Sequence, residues 1–293
     1  MGRKGNSGYT NPDVRFGNGD VGYSGSLGLT QHYLERLDGD LPPELSPAPG
    51  YVVWHRSDKL ITQDGDGDVE RWGDLSGNGI NLNQTDADDR PDYTTSNAGL
   101  NSKPTVDTNG TAGSDEFMVG DDNALLDVNG TGGFCLYVVA EINNYPDSFN
   151  FFVSRLGSSS WNDGWGIYYY SGDFRFFVDY WNTSSKIIEL TNPGVFNAPY
   201  IFKFLFNDDT NGDSSGMKAE IIGNSNSRSG TQPYNDPVDD SGISNGLWVN
   251  YAGGSTAWQG NWGMGEILFY NAPLDVGGQL TTEKYLKNRY NIT

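Results

Sequence analysis

An alternating series of acidic residues is the first candidate for chemistry in this sequence. Carboxylates occupy every second position at Asp64, Asp66, Asp68 and Glu70, and glycines separate the first three. Ca²⁺ binds hard oxygen ligands, and a glycine-containing segment can curl around such an ion. The series is not an EF-hand, because its sixth position is Val69 instead of the required glycine. The series is therefore a candidate calcium loop, and an acidic hairpin turn without a bound ion is the other interpretation.

A second candidate site consists of tryptophans that lie beside amides and carboxylates. Its residues are Trp161, Asn162, Asp163, Trp181 and Trp258. Sugars stack their apolar faces on aromatic rings, and their hydroxyls hydrogen-bond to amides and carboxylates. Loops carry binding residues more often than strands do, and turn residues surround these tryptophans. The pattern predicts a glycan site with Trp161 as its exposed member; tryptophans that pack in the core are the alternative.

Catalytic residues are the third possibility to test. Glycoside hydrolysis needs two carboxylates across one cleft, but no carboxylate follows Glu266 two positions later on its apolar stretch. Asp173 and Asp179 flank an aromatic stretch, although aspartates at strand ends are common. Two histidines, His32 and His55, are too few for a histidine-rich zinc site. The sequence therefore predicts no enzymatic activity, and a glycosidase is kept as the third hypothesis.

Charge and cysteine content restrict the classes of partner. The 293 residues include 18 Lys and Arg against 38 Asp and Glu, which gives a net charge of −20. Binding to nucleic acid or to an anionic membrane requires a basic surface, so we expect neither partner. Cys135 is the only cysteine and lies in an apolar run, which predicts a buried, unreactive thiol.

The elements that must position these residues divide into two parts, at 1–49 and 50–293. The first part is rich in Gly, Asn and Ser between Gly5 and Gly28, with a short predicted helix at 30–37 and a proline-rich spacer after it. We interpret this part as an extended anchor arm. The residues proposed for anchoring are Arg3, Lys4, Arg15, Phe16, Tyr33, Leu34 and Leu37.

Residues 50–275 read as short strands separated by turn clusters, which predicts an all-β sandwich or jelly roll. Phe202, Phe204 and Phe206 alternate and share one face of a strand. The pattern changes near the C-terminus, where Leu286 and Tyr290 are four residues apart on a predicted helix over 277–290.

Several motifs of this second part resemble one known module. They are an apolar stretch with a Trp at 51–54, Trp-Gly-Asp-Leu-Ser-Gly-Asn-Gly at 72–79, Arg-Pro-Asp-Tyr at 90–93, Gly-Glu-Ile-Leu-Phe-Tyr at 265–270 and Tyr-Leu-Lys-Asn-Arg-Tyr-Asn-Ile at 285–292. Together they resemble the laminin-G-like, concanavalin-A-like jelly-roll module of bacterial surface and phage structural proteins. The resemblance implies a concanavalin-A-like jelly-roll β-sandwich at 50–293 with a short C-terminal helix outside it, core positions for Trp165 and Trp262, and calcium binding as in many such modules.

The function implied by the resemblance is structural. No export signal follows Met1 in this sequence, because an apolar segment is missing there. We therefore expect a phage virion protein that is made in the host cytoplasm. Its expected role is capsid decoration, with the arm docked on the major capsid protein or another virion protein, and with homo-oligomers as an option.

The alternative function is a glycan-binding receptor-recognition module of a tail fibre or spike, or of a bacterial surface protein. Cell-surface glycans would then be the partners. The two roles are compatible, because a decoration protein can also bind glycans.

Overall fold

The structure of the protein is a computed structural model. It describes residues 46–108, 116–129, 131–144, 149–157, 163–179, 184–207, 216–224, 226–234, 236–240, 243–251 and 260–293. The strands of these ranges are β1 (Val53–Arg56), β2 (Ile61–Gln63), β3 (Val69–Trp72), β4 (Leu82–Asn83), β5 (Asp92–Asn97), β6 (Lys103–Thr108), β7 (Met118–Gly120), β8 (Gly133–Asn144), β9 (Phe149–Leu156), β10 (Gly164–Tyr170), β11 (Asp173–Val178), β12 (Ile187–Thr191), β13 (Pro199–Asn207), β14 (Gly216–Ile222), β15 (Arg228–Gln232), β16 (Trp248–Val249) and β17 (Asn261–Tyr270). The α-helix described is α1 (Val276–Tyr290).

These strands form two antiparallel sheets. Sheet 1 has the order β15-β14-β13-β8-β17-β6-β5, with β1 paired to β17, and sheet 2 has the order β12-β11-β10-β9-β16-β7-β4-β3-β2. The sheets pack face to face, which confirms the predicted all-β sandwich with a short C-terminal helix. Residues 1–45 of the anchor arm predicted at 1–49, with its seven proposed docking residues, lie outside the described residues.

Alternating side chains build the core between the two sheets. On β13 the predicted inward face is confirmed, because Phe202, Phe204 and Phe206 are all fully buried in one cluster. The intervening Lys203 lies on the outer face and pairs with Glu220 at 2.8 Å. The period of two along a strand therefore separates core residues from residues of the outer face.

Strand β8 is buried on both faces, as its continuous apolar sequence predicts. Leu136 and Val138 belong to the core between the sheets. Cys135, Tyr137 and Val139 belong to a second cluster on the outer face of sheet 1. Burial raises the pKa of the Cys135 thiol to about 12, so the thiol stays protonated at neutral pH.

Helix α1 covers this outer face. Its N-cap is Asp275, whose side chain accepts a hydrogen bond from the Gly278 amide, and its C-cap is Asn291 in the left-handed conformation. Leu286 and Tyr290 are both buried against sheet 1, so the predicted pair four residues apart is confirmed. The helix is too short and polar to cross a membrane, and the described residues contain no helix that could do so.

Glu266 lies under α1 and connects β1, near the start of the domain, with α1 at its C-terminal end. Its Oε1 accepts hydrogen bonds from Trp54 Nε1 and from the Tyr285 hydroxyl, both at 2.7 Å. Its Oε2 accepts from the Tyr290 hydroxyl at 3.0 Å and lies 3.3 Å from Arg289 Nε. The motif residues at 54, 266, 285 and 290 thus meet at one buried carboxylate, which gives them a structural role.

The loop at 72–79 has a similar structural role. Asp74 Oδ1 accepts hydrogen bonds from the backbone amides of Trp54 at 3.0 Å and Ser76 at 2.8 Å. Its Oδ2 accepts from the Ile80 amide at 3.1 Å. The Asn78 side chain donates to the Val52 carbonyl at 2.9 Å. These bonds fasten the loop to β1.

The chain joins the sandwich beside α1. The Ala48 amide donates to Thr282 Oγ1 at 3.1 Å, and the Tyr270 hydroxyl donates to the Ala48 carbonyl at 2.9 Å. Pro47 and Ala48 are buried, so packing against the domain begins before residue 50. The division of the chain at 49 remains a prediction.

Candidate functional site

The strand register brings many strand ends together at one end of the sandwich. In sheet 2, Gly164 at the start of β10 pairs with Leu156 at the end of β9, and Trp165 pairs with Val178 at the end of β11. In sheet 1, Asn207 at the end of β13 pairs with Gly133 at the start of β8. We call this end, defined by these residues, the loop end.

Residues 236–240 are fastened to the loop end through a backbone hydrogen bond of Asp239 to Gly164, which is itself bonded to Asp179. The Gly164 amide donates to the Asp239 carbonyl at 2.9 Å, and the Asp179 amide donates to the Gly164 carbonyl at 2.7 Å. Gly164 has φ +92°, and a Cβ there would overlap the Arg155 carbonyl. Only glycine fits this junction without strain.

Asp179 is a buried carboxylate of the loop end that is held by two hydrogen bonds. Its Oδ2 accepts from the Tyr234 hydroxyl at 2.9 Å, and its Oδ1 accepts from the Asp239 amide at 2.7 Å. Burial raises the pKa of Asp179 to about 6, although both hydrogen bonds act in the opposite direction. Lys186 Nζ lies 4.9 Å from the centre of the Tyr234 ring. Asp179 therefore holds the segment near Tyr234 against β11.

Arg155 organises a second group of carboxylates at the same end. Its Nη2 lies 2.6 Å from Asp127 and 3.3 Å from Asp122, and its Nη1 lies 3.6 Å from Asp240. The Arg155 side chain is fully buried, whereas the side chains of Asp122 and Asp127 are 48% and 47% exposed. The buried cation thus fixes two carboxylates that still face solvent, where they can accept hydrogen bonds.

The structure describes one of the five predicted glycan-binding residues. Asp163 is half-buried and immediately precedes β10 at the loop end. The other four, Trp161, Asn162, Trp181 and Trp258, lie outside the described residues. Trp165 and Trp262, for which a core position was expected, are fully buried.

The described residues that flank the segments 158–162, 180–183 and 252–259 do not all lie at the loop end. Leu156 and Gly164, on either side of 158–162, and Asp179, which precedes 180–183, lie at the loop end. The flanks of 252–259 are elsewhere, because the Gly260 amide bonds to Asn250 and the following residue, Asn261, pairs with Asn144 at the opposite end of β8. The described residues that flank 252–259 therefore include some at the opposite end of the sandwich from those that flank 158–162 and 180–183.

Asp64, Asp66 and Asp68 of the acidic series lie in the turn between β2 and β3, and Glu70 lies on β3. Asp64 Oδ1 accepts three hydrogen bonds from the backbone amides of Asp66, Gly67 and Asp68 at 2.9–3.0 Å. Its Oδ2 lies 2.8 Å from Arg90 Nη1, and this hydrogen bond lowers the pKa of Asp64 to about 2.

Calcium binding at this turn remains a prediction. Arg90 Nη2 also lies 3.9 Å from Glu70, so one guanidinium neutralises two members of the series. Within the described ranges, no group of three or more acidic, histidine or cysteine residues is arranged to hold a metal ion. A bound Ca²⁺ would have to compete with Arg90 for Asp64.

Sequence reasoning did not find most of the loop-end residues. The position of Asp179 after an aromatic stretch was weak evidence for a functional role. No sequence pattern pointed to Tyr234, Asp239 or Arg155. The partners of Arg155 at Asp122 and Asp127 are 33 and 28 residues away in the chain. Only the folded chain brings them together.

Comparison with known proteins shows similarity in fold. No protein-family model and no curated protein matches the sequence. Among solved structures, the sialidase of Trypanosoma rangeli in complex with the inhibitor DANA superposes with a TM-score of 0.53 at 11% identity, covering 90% of this chain and 38% of that one. The binding domain of botulinum neurotoxin serotype D superposes with a TM-score of 0.51 at 12% identity, covering 82% of this chain and 51% of that one.

A third similar structure is the binding domain of Paraclostridial Mosquitocidal Protein 1. It superposes with a TM-score of 0.50 at 13% identity, covering 80% of this chain and 52% of that one. The chain thus spans about half the length of the toxin domains and less of the sialidase. At these identities the similarity establishes a shared β-sandwich architecture.

Proposed function

We propose that this protein is a non-catalytic recognition module that binds cell-surface glycans through the loop end. The exposed carboxylates of Asp122 and Asp127 and the half-buried Asp163 would accept hydrogen bonds from sugar hydroxyls. Trp161, two residues before Asp163 in the sequence, and Trp181, two residues after Asp179, would supply aromatic faces for stacking.

The arrangement at Arg155 is the observation that carries this proposal. Asp122 and Asp127 are fixed by the buried guanidinium at 3.3 and 2.6 Å while about half of each side chain stays exposed. Carboxylates held in place lose little entropy when a ligand binds, which favours affinity. The binding domains of two toxins have a similar sandwich fold, which is consistent with recognition.

Electrostatics favour neutral over acidic glycans. The chain has a net charge of −20, and the loop end carries Asp122, Asp127, Asp163 and Asp239. A sialic-acid carboxylate would meet repulsion there, whereas neutral sugars supply hydroxyl donors for these carboxylates.

Glycan-array binding of the full chain tests this function. We expect binding to neutral glycans, with at least about a tenfold weaker Kd for Trp161→Ala and Asp163→Ala, since a hydrogen bond to a charged group contributes about 1.5–3 kcal/mol. Asp173→Ala, at the opposite end of β11, is the matched control and should bind like the wild type. Absence of binding, or equal losses in all three variants, would contradict the proposal.

We propose further that the module is laminin-G-like and is carried on a phage virion by the arm at 1–49. Capsid decoration is the role we favour for this arm, and a tail fibre, a spike or a bacterial surface is the alternative. A fully extended arm of 45 residues spans about 150 Å, which is long enough to reach a neighbouring subunit.

Particle binding tests the arm. Removal of residues 2–40 should leave a folded protein that no longer cosediments with capsids, whereas the full chain should cosediment. Cosedimentation of the truncated protein would show that the arm is not the anchor. The glycan-binding assay on the same truncated protein separates this outcome from the recognition function.

A further inference from the structure

A row of acidic residues crosses the outer face of sheet 1, away from the loop end. Asp92 on β5 pairs with Asp107 on β6. Gly263 on β17 pairs with Asp107 on one side and with Glu141 of β8 on the other. A Cβ at Gly263 would lie 3.0 Å from Asp107 Oδ1, so Asp107 leans over the glycine toward Glu141. With no side chain between them, these two carboxyl groups are neighbours on one face of the sheet.

Glu141 is buried with too few hydrogen-bond donors for a charged carboxylate. The residue is 5% exposed, and its Oε2 has no hydrogen-bond partner within the described part of the chain. The same holds for Asp107 Oδ1, which is also a buried atom. Burial of a carboxylate without donors is costly, whereas a protonated carboxyl group is buried at a much lower cost. The surroundings of Glu141 therefore suit its protonated form.

The electrostatics of the row act in the same direction. Burial raises the pKa of Glu141, and the negative charge of Asp107 raises it further, although a hydrogen bond from Asn97 lowers it. Burial also raises the pKa of Asp107, and Asp92 adds to this effect, whereas hydrogen bonds from two threonines oppose it. Each acid in the row thus makes ionisation of its neighbour harder.

The neighbouring elements supply no positive charge to this pair. The two strands beside β8 place a glycine and a proline next to Glu141. The guanidinium of Arg289 on α1 pairs with Asp58 at 2.7 Å, and Lys103 lies at the start of β6. Among the described residues, neither of these nor any other basic residue contributes to the pKa of Glu141 or Asp107.

A turn formed by residues 97–102 covers Glu141, and we call this turn the clasp. A Cβ at Gly99 would overlap the Glu141 carboxyl group, so the turn lies directly on it. The Asn101 side chain donates to a backbone carbonyl in the last turn of α1 at 3.0 Å. Leu100 is fully buried in the cluster beneath α1. The clasp therefore rests on the buried carboxyl group and holds the C-terminal end of the helix.

We infer that the clasp is a pH-sensitive switch, which is closed over Glu141 while this group holds its proton and opens when the proton leaves. The ionised group would be a buried charge beside Asp107, and opening of the clasp would give it access to water. Opening would also release Asn101 from α1 and uncover the site that Leu100 fills. This inference is independent of glycan binding at the loop end.

Hydrogen exchange, measured by NMR on the full chain, tests this switch. The Ser102 amide is a suitable probe, because its bond to the Asn97 carbonyl, at 2.9 Å, closes the turn. After correction for the intrinsic pH dependence of exchange, its protection should fall about tenfold per pH unit above about pH 4.3, the ordinary pKa of glutamate. The fall should end at the raised pKa of Glu141 in the closed state.

Glu141→Gln has no proton to lose, so the protection of Ser102 in this variant should not change with pH. Glu189→Gln is the matched control, because Glu189 is 53% exposed and lies on the other sheet, and it should behave like the wild type. Constant protection in the wild type, or the same fall in Glu141→Gln, would overturn the inference. An equal fall at the Val138 amide of β8 would also overturn it, because the cause would then be global unfolding.

Asp107→Asn provides a second test, which stays informative if Glu141→Gln does not fold. This variant removes the negative charge beside Glu141, so the carboxyl group should lose its proton at a lower pH. The fall in protection of Ser102 should then end at a lower pH than in the wild type. An end point at the same pH would show that the two carboxyl groups do not act on each other and would contradict the switch.

Discussion

At the residue scale, the buried ionic groups of this protein are of two kinds. Glu266 has a full set of donors, from Trp54, Tyr285 and Tyr290, together with the nearby Arg289. Asp179 accepts two hydrogen bonds, and burial nevertheless raises its pKa to about 6. Glu266 stabilises the fold because it accepts hydrogen bonds from β1 and from α1. Asp179 makes the stability of the fold depend on pH.

Glu266→Gln should therefore be strongly destabilising. Arg289 keeps Asp58, at 2.7 Å, as its remaining carboxylate. Trp54, Tyr285 and Tyr290 lose a charged acceptor, and a hydrogen bond to a charged group typically contributes about 1.5–3 kcal/mol. Urea unfolding measures the loss. The matched control is Glu189→Gln, whose side chain is 53% exposed and lies 2.9 Å from Arg175, and which should cost less than about 1 kcal/mol. Equal costs would contradict the structural role of Glu266.

Because the pKa of Asp179 is raised in the folded chain, we expect the free energy of unfolding to fall as the pH rises. Its pKa is about 6 in the folded chain and about 3.9 when unfolded, so the folded state holds a proton that the unfolded state releases. The stabilisation is complete below the unfolded pKa and is lost as the pH rises through about 6.

Asp179→Asn should remove this part of the pH dependence. Relative to the variant, the wild type should lose about 1–3 kcal/mol of unfolding free energy between about pH 4 and pH 7, because one pKa unit corresponds to about 1.4 kcal/mol. Urea denaturation at a series of pH values measures the difference. Parallel curves for the two proteins would show that Asp179 does not titrate in this range.

At the element scale, the junction between β9 and β10 positions the loop end. Gly164 has a positive φ and lies so close to the Arg155 carbonyl that a Cβ would overlap it. Gly172, in the turn between β10 and β11, also has a positive φ of +106°, but a Cβ there would meet no atom within 4 Å. A substitution at Gly164 therefore introduces both backbone strain and steric overlap, whereas a substitution at Gly172 introduces backbone strain alone.

Gly164→Ala should cost more stability than Gly172→Ala. The second variant carries only the strain of a left-handed conformation, about 1 kcal/mol. The first adds an overlap with backbone that cannot move without disturbing Arg155, and we expect a total above about 3 kcal/mol. Thermal unfolding of both variants checks the order. Similar melting temperatures would mean that the junction relaxes.

At the scale of the whole molecule, the arm and the sandwich meet at Ala48. The bonds of Ala48 to Thr282 and Tyr270 fix the point of departure on the outer face of sheet 1. Residues before this point can be removed without breaking either bond. Removal of residue 48 breaks both and leaves the buried Tyr270 hydroxyl with Thr282 Oγ1, at 3.2 Å, as its remaining partner.

Two truncations should therefore differ in stability. A chain that lacks residues 2–40 should keep the melting temperature of the full chain. A chain that lacks residues 2–49 should lose about 1–3 kcal/mol, which is the usual cost of a lost bond to a buried polar group. Differential scanning calorimetry measures both. Equal melting temperatures would show that the contacts of Ala48 add nothing to stability.

The sequence by itself determined the fold class. The alternation of Phe202, Phe204 and Phe206, the continuous apolar run of β8 and the Leu286–Tyr290 pair are patterns of nearby residues, and local periodicity reports which face of a strand or helix is buried. The motifs at 72–79 and 265–270 likewise indicated the sandwich, and their residues now have a structural explanation in the bonds of Asp74 and Glu266.

Only the tertiary structure decided how distant residues combine. Asp179 and Tyr234 are 55 residues apart, Trp54 and Glu266 are 212 apart, and Ala48 and Thr282 are 234 apart. No local pattern links such pairs, because their proximity depends on how strands that are distant in the sequence pair with one another. For the same reason the sequence grouped Trp258 with Trp161, whereas the register of β8 and β17 separates the residues that flank them.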